Sequence, residues 1–412
     1  MKIWIINHYA IPPSMGGLVR HYYFSKYLQE RGHEVRIFTS SKIHNADINM
    51  INDKRLYLEK RVDGIEYTFV RTSNYKGNKL SRIINMLQFP MRIRRVCKKF
   101  EKPDVIYTSS PDLLTALSAV KIAKKMKLPK VVELRDLWPE SIVAYNNISK
   151  KNPIIRILYQ LEKWLYKKAD RLIFTMAGAK EYIKDSGWEK KIDFDKIVHV
   201  NNGVDIEEFE YNKEHYSVED NDLLDTSIYK VVYTGSVRKV YNLGMVLDAA
   251  KQMQKESPKV KFLIWGDGTE RAELEKRCKE EGISNVVFKG HVEKKYIPYI
   301  LSHADVNLMH WDKMVGLVKY GCSLNKLFDY LASGRTIISD VAVAYDLLKE
   351  YQCGIVTKEQ SVDELCRAIL MSITMPEDER IAYSKRAIEC AKAHDYKVLT
   401  EKIEKVLESA RY

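Results

Sequence analysis

Two hydrophobic periods alternate along this chain. Short apolar runs bounded by turn residues predict strands at 3–7, 34–40, 65–70, 105–109, 130–134, 171–175 and 196–200. A second set follows at 230–234, 260–265, 286–289, 306–309, 336–339 and 354–356. Between them, apolar positions three and four apart predict helices, the first over about 18–30 and the last over about 396–409. Such alternation argues for an α/β fold built on two doubly wound parallel sheets. The turn-rich NNGVD at 201–205 and the acidic, polar stretch 207–226 separate the two sets, which places a hinge there. The expected domains are 1–205, with the C-terminal helix 396–412 crossing back to it, and 206–395. Ligands of such folds sit beyond the carboxyl ends of the strands, here in a cleft between two facing domains.

The clearest local signal is YGCSLNKLFDYLASGRTII at 320–338. Ser323 suits an N-cap, Leu324, Leu327, Phe328 and Leu331 share one helix face, and Gly334 suits the position past the helix end. Lys326 then stands in the first turn, where unpaired N–H groups and the helix dipole already make a positive site. A cation there is mildly disfavoured unless an anion shares the site. Asp329 follows one turn later as an acceptor for hydroxyl groups, and the pair suits a nucleotide diphosphate. An ordinary amphipathic helix with a solvated lysine also accounts for these residues.

Composition narrows the class. At 412 residues the chain exceeds one ordinary core, and 45% hydrophobic with 30% charged residues is the balance of a globular protein. No run approaches the roughly 18 apolar residues of a membrane span. The opening MKIWIINHYA turns polar too soon for a signal peptide. Six cysteines without a CxxC pair read as reduced thiols of a cytoplasmic protein, with neither a disulfide framework nor a zinc site. Charge is uneven: residues 1–200 carry 38 Lys and Arg against 20 Asp and Glu, the remainder 30 against 35. The first half should therefore present a basic face to an anionic partner.

In the second half, strand 230–234 runs into GSVRKVYN, where Gly235 and Ser236 allow close backbone approach and Arg238 and Lys239 supply cations. Strand, glycine loop, cations and helix start form an anion cradle, or else a basic surface loop. WGDGTER at 265–271 lacks the third glycine of a dinucleotide fingerprint, so Gly266 and Gly268 read as positions of close approach to a base or ribose. DFD at 193–195 and DND at 220–222 lie in polar segments and read as solvated turns, and no catalytic metal is expected.

In the first half, SMGGLVRH puts Gly16 and Gly17 before a helix that carries Arg20 and His21, to hold a sugar or phosphate or simply to turn the chain. VVELRDLWPES ends a buried strand in Glu133, Arg135 and Asp136, either site residues or, for Arg135 and Asp136, a salt bridge. Two basic amphipathic stretches, 79–102 and 150–171, read either as packed helices with solvated basic faces or as a surface for anionic membranes. No recognition module supports binding to nucleic acid.

Taken together, PPSMGG with RGHEV, RDLWPES, NNGVD, GDGTERAELE and SLNKLFDYLASGR, in that order, resemble glycosyltransferase family 4. The branch resembled includes N-acetyl-fucosamine transferases of O-antigen and capsule assembly. The resemblance implies the GT-B architecture: two Rossmann-like domains facing a central cleft, the first binding acceptor and the second the nucleotide sugar. It implies retaining transfer of a sugar, an N-acetylated and 6-deoxy amino sugar such as N-acetyl-fucosamine, from a UDP-sugar to a polyprenyl-diphosphate-linked acceptor. No metal or other cofactor is implied, and the expected location is cytoplasmic, peripheral to the inner face of the cell membrane.

The family's ribose-binding glutamate matches Asp329, and its second glutamate falls on Gly321. Its phosphate-binding arginine and lysine match Ser236 and Tyr241, so Arg238 and Lys239 are taken as substitutes. The histidine of its HD pair is Arg135, with Asp136 kept. Because that histidine touches a sugar 6-hydroxyl, its loss fits a 6-deoxy donor. The catalytic candidates are thus Glu133, Arg135, Asp136, Arg238, Lys239 and Lys326. Substrate contacts fall to Gly16, Gly17, Arg20, Ser236, Gly266, Gly268, Ser323, Leu324, Asn325, Leu327 and Asp329. The competing functions are a sugar-nucleotide epimerase on the same fold and a non-catalytic basic surface-binding protein.

Overall fold

The computed structural model describes every residue except 45, 76, 78, 79, 110, 111, 147, 313–315 and 412. Lys79, the first residue of the basic stretch 79–102, therefore lies outside the described residues. The chain forms two compact units, Met1–Asn201 with Tyr396–Tyr412, and Asn202–Asp395.

The first unit holds eight strands: β1 (Lys2–Ile6), β2 (Glu34–Ser40), β3 (Tyr57–Val62), β4 (Ile65–Val70), β5 (Val105–Ser109), β6 (Lys130–Leu134), β7 (Arg171–Phe174) and β8 (Ile197–His199). Their order is β3-β4-β2-β1-β5-β6-β7-β8, parallel except for β3, which runs against β4. Along β1 the side chains alternate between two cores, as a strand buried on both faces requires. Ile3 and Ile5 pack with Phe24 and Leu28 of the helix Arg20–Glu30 and with Leu399 and Ile403 of the helix Tyr396–Ser409. Trp4 and Ile6 pack with Phe89 and Ile93 of the helix Leu80–Val96 and with Ala119 of the helix Leu113–Met126.

Strand β3 was not expected from the sequence. Its Glu59, Lys60 and Arg61 are exposed at the sheet edge, so no apolar run marks it. The Asp63–Gly64 turn, with both φ positive at 48° and 81°, closes the hairpin to β4 and was its only local sign.

The second unit holds β9 (Tyr229–Thr234), β10 (Val260–Trp265), β11 (Val286–Gly290), β12 (Val306–Met309), β13 (Thr336–Ser339) and β14 (Ile355–Val356). All are parallel, in the order β11-β10-β9-β12-β13-β14. The order reverses between β9 and β12, so a crevice opens at their carboxyl ends.

The two units divide between Asn201 and Asn202, inside the NNGVD turn where the hinge is expected, but the stretch 207–226 belongs to the second unit and is not a linker. It contains the helices Ile206–His215 and Asn221–Leu224, capped by the side chains of Asp205 and Asp220 and anchored by buried Phe209 and Leu223. Acidic composition disguised two N-caps as a linker. DND at 220–222 is likewise no solvated turn: Lys289 binds both Asp220 and Asp222, and Lys261 binds Asp222. Among the described residues no helix is long and apolar enough to cross a membrane.

Candidate active site

In the second unit, four carboxyl ends converge at the reversal of strand order. The helix Asn325–Ala332 enters beside them, with Leu324 rather than Ser323 at its N-cap and no side chain capping it. Ser323 is diverted: its Oγ accepts the Asn202 N–H at 3.0 Å and its carbonyl accepts Asn202 Nδ2 at 2.7 Å. The capping role expected of Ser323 is thus replaced by a tie to the NNGVD turn.

Lys326 lies in the first turn of this helix and points into the crevice. Its Nζ is shielded from solvent and makes no hydrogen bond. It stands 4.0 Å from the ring centre of Tyr233 and 4.8 Å from that of Tyr241. Burial pushes the ammonium down to about 7, against the opposing pull of Asp340. Gly235 keeps this space open, since a Cβ there would lie 3.3 Å from the Lys326 Nζ.

Asp340 follows β13 and His310 follows β12; their Oδ2 and Nδ1 lie 2.6 Å apart, both side chains fully buried. The His310 Nε2 faces the carbonyl of Asn242 at 3.0 Å, while the Asp340 Oδ1 has no partner. A cation and a carboxylate oxygen, each buried and each with hydrogen-bonding capacity to spare, therefore share one crevice.

The loops after β9 and β10 run backbone against backbone. The Gly235 N–H donates to the Trp265 carbonyl at 2.9 Å and the Val237 N–H to the Asp267 carbonyl at 3.0 Å. A Cβ on Gly266 would fall 1.7 Å from the Gly235 oxygen, and one on Gly268 would fall 2.1 Å from the Val237 oxygen. The close approach expected toward a base or ribose is thus made to the chain itself. Ser236 receives the Tyr233 hydroxyl on its carbonyl at 3.1 Å. Arg238 and Lys239 are exposed where the short turn Lys239–Tyr241 begins, and among the described residues neither has an ion-pair partner.

The remaining helix candidates divide. Leu324 and Leu327 are half-buried and pack against the core of this unit. Asn325 is exposed and Asp329 half-buried. Burial raises the Asp329 carboxyl, with Lys294 opposing and Glu208 reinforcing that shift.

In the first unit, Glu133 is the hub of a sealed network. It accepts from Arg20 Nε at 2.8 Å, His21 Nε2 at 3.0 Å, Tyr107 at 2.7 Å and Ser109 at 2.7 Å. Burial alone would raise its carboxyl, but Arg20 and then His21 hold it well below the usual carboxylate range. Arg20 also donates to the Val200 carbonyl at 2.9 Å. Arg20 and Glu133 are 1% and 0% exposed, so they correct the sequence reading: both are framework, out of reach of substrate. Arg135 and Asp136 form no salt bridge with each other. The Arg135 Nε is buried without a partner, and the Asp136 carboxylate accepts from Ser141 at 3.1 Å. Burial lowers the pKa of Arg135 and raises that of Asp136. Gly16 and Gly17 are exposed and neither has a positive φ that requires glycine.

Sequence reasoning missed His310, Asp340 and Tyr233. The available sign was a polar residue directly after an apolar strand, at the edge where ligands bind. Among the described residues no group of three or more His, Cys, Asp or Glu is arranged to hold a metal ion.

Residues 15–208 match the family model described as Glycosyltransferase Family 4, and residues 228–374 match the one described as Glycosyl transferases group 1. No curated protein matches the chain. Solved structures share its fold at low identity. Sucrose-phosphate synthase from Thermosynechococcus elongatus is 15% identical with a TM-score of 0.73, over 99% of this chain and 98% of that one. Anabaena HepE in complex with UDP-glucose is 15% identical with a TM-score of 0.68, over 99% and 100%. WaaG, described as a glycosyltransferase involved in lipopolysaccharide biosynthesis, is 14% identical with a TM-score of 0.65, over 99% of both chains.

Proposed function

On the premise that this chain is a glycosyltransferase family 4-like protein of GT-B fold, we propose that it transfers an N-acetylated, 6-deoxy amino sugar such as N-acetyl-fucosamine. The donor is a UDP-sugar, and the acceptor a lipid-linked oligosaccharide of cell-surface polysaccharide. Configuration at the transferred carbon is retained. The observation that carries this reading is the buried, unpartnered ammonium of Lys326 at the strand-order reversal of the second sheet.

As the bond from the sugar to the diphosphate breaks, its electron pair stays on UDP. A cation already stripped of water stabilises that growing charge without reorganising solvent. Arg238 and Lys239, exposed on the neighbouring turn, add cations from solvent, and together the three fill the role that a metal has in other phosphate sites. Asp329 accepts from the ribose hydroxyls. The complex of HepE with UDP-glucose supports a uridine diphosphate donor, and the work of WaaG in lipopolysaccharide assembly supports a lipid-linked acceptor. The unpaired Arg135 Nε, at the position where the family resemblance implies a histidine, supports a donor without a 6-hydroxyl.

A thermal-shift panel of sugar nucleotides, followed by product analysis with a lipid-linked acceptor, tests the proposal. UDP and a UDP-linked 6-deoxy amino sugar should raise the midpoint most. A response to GDP- or ADP-sugars with none to UDP would sink the donor assignment, and isomerised donor formed without acceptor would favour an epimerase.

A further inference from the structure

The second unit has another opening, at the end of its sheet away from the crevice that holds Lys326. Tyr229 begins β9, Asp305 precedes β12 and Thr336 begins β13, and beside these amino ends lies a cavity of about 590 Å³. That is room for a small ligand. The helix Asn325–Ala332 runs between the two openings. Its first turn carries Lys326 to the crevice, and the residues that follow it, Ser333, Gly334 and Arg335, line the cavity. The helix Glu377–Ala393 supplies another wall through Glu377, Arg380 and Ser384. These walls are closely seated: Gly334 has φ 64°, and a Cβ there would lie 2.9 Å from the Ser384 Oγ.

The lining mixes charges of both signs, and their pairing leaves one cation over. Lys213 is answered by Glu210, and Arg380 by Glu377 at 3.5 Å. Asp305 accepts the Lys230 N–H at 2.8 Å, with the Lys230 Nζ at 3.9 Å. Arg335 donates from Nε to the Ser302 carbonyl at 2.7 Å and has no ion-pair partner among the described residues. His303 Nδ1 lies 2.8 Å from the Tyr299 carbonyl, which puts the proton of the neutral ring there and leaves Nε2 as an acceptor.

We propose that this cavity is a second ligand site, which takes a small phosphate ester of a polyhydroxyl compound, and that the helix Asn325–Ala332 couples it to the crevice. The coupling to UDP rests on the function proposed above; the site itself does not. The Arg335 guanidinium offers its remaining donors to a phosphate in the forked geometry that suits one. Asp305, Glu377 and the His303 Nε2 accept hydroxyl groups. An amine would meet Arg335 and Arg380 instead, and a bare anion would leave the carboxylates opposed to its charge. An apolar ligand would strip water from the charged lining without replacing it. Phosphate and hydroxyls together satisfy both sets of groups. A ligand held between Arg335 and Arg380 acts on the same helix that sets Lys326, so ester and UDP should change each other's affinity by one common factor.

The test is calorimetric titration of the full chain with glycerol 3-phosphate and glucose 6-phosphate, against inorganic phosphate, glycerol and glucose. Saturable binding of at least one ester is expected, at least about tenfold tighter than inorganic phosphate and falling at least about tenfold in Arg335→Gln. Arg335 is exposed, so that variant should match wild type by circular dichroism and keep its UDP-induced thermal shift. Lys326→Met should keep its ester binding, which separates the cavity from the crevice: a chain that ignores UDP still binds the ester. Saturating ester should change the UDP dissociation constant by about fivefold or more. No saturable ester binding overturns the site, as does binding that Arg335→Gln leaves unchanged or Lys326→Met abolishes. Inorganic phosphate or the free polyols binding as tightly as the esters overturns the ligand class. Equal UDP affinity with and without ester overturns the coupling. If UDP does not bind, unchanged hydrogen exchange in Asn325–Ala332 on adding ester does the same.

Discussion

On the proposed function, Lys326 concentrates the chemistry of the second unit in one atom. Lys326→Met keeps the aliphatic stem against Tyr233 and Tyr241 while removing the charge. Turnover should drop by roughly 10²–10³-fold, as when one transition-state donor is removed. The unliganded protein should not lose stability, because an unpaired buried cation is costly to the fold. The pH dependence has a definite sign. The folded pKa of about 7 lies below the ordinary lysine value of 10.5. Between these values the unfolded chain holds the proton and the folded chain does not, so stability of the free protein rises with pH across that window. Urea midpoints measured from about pH 7 upward should climb in wild type and climb less in Lys326→Met. A bound diphosphate favours the ammonium, so UDP binding slightly above neutral pH should take up a proton. Calorimetry in buffers of differing ionisation enthalpy reads that uptake directly, and an uptake of zero would contradict the assignment.

Elements, rather than single residues, explain why parts of this molecule are legible in its sequence. Strands such as β1 and β12 are buried on both faces and so read as apolar runs. Strand β3 has an edge to protect, and Glu59, Lys60 and Arg61 hide it from that reading. The helix carrying Lys326 is visible because a cation in a first turn conflicts with helix electrostatics. The His310–Asp340 pair is not, because those residues meet only through the pairing of Met309 with Ser339, which sets their successors side by side. Arg20 and Glu133 had the same difficulty: polar groups near strand ends look catalytic until the contact across 113 positions is known. Two variants test these elements. Gly266→Ala must push the loops after β9 and β10 apart, and should lower the unfolding free energy by about 3 kcal/mol while weakening UDP binding. Glu133→Gln removes the charge that answers Arg20 and should cost about 3–5 kcal/mol in denaturant unfolding. The UDP contacts of the second unit should persist in that variant.

For the whole molecule, the proposed function gives the two units different tasks. Hydrogen exchange of the full chain with UDP should slow amides in Gly235–Leu243 and around Lys326, and leave β1 and β5 unchanged. Protection confined to the first unit would reverse the assignment. The path of the backbone carries one further implication. It leaves the first unit at Asn201 and rejoins it at Tyr396, with Val204 bridged to Asp395 at the crossing. A ribosome must therefore release all of the second unit before Leu399, Ile403 and Leu407 can cover Phe24 and Leu28. The part of the protein synthesised first is the last to be finished, and its bare flank is what a chaperone would meet on the nascent chain.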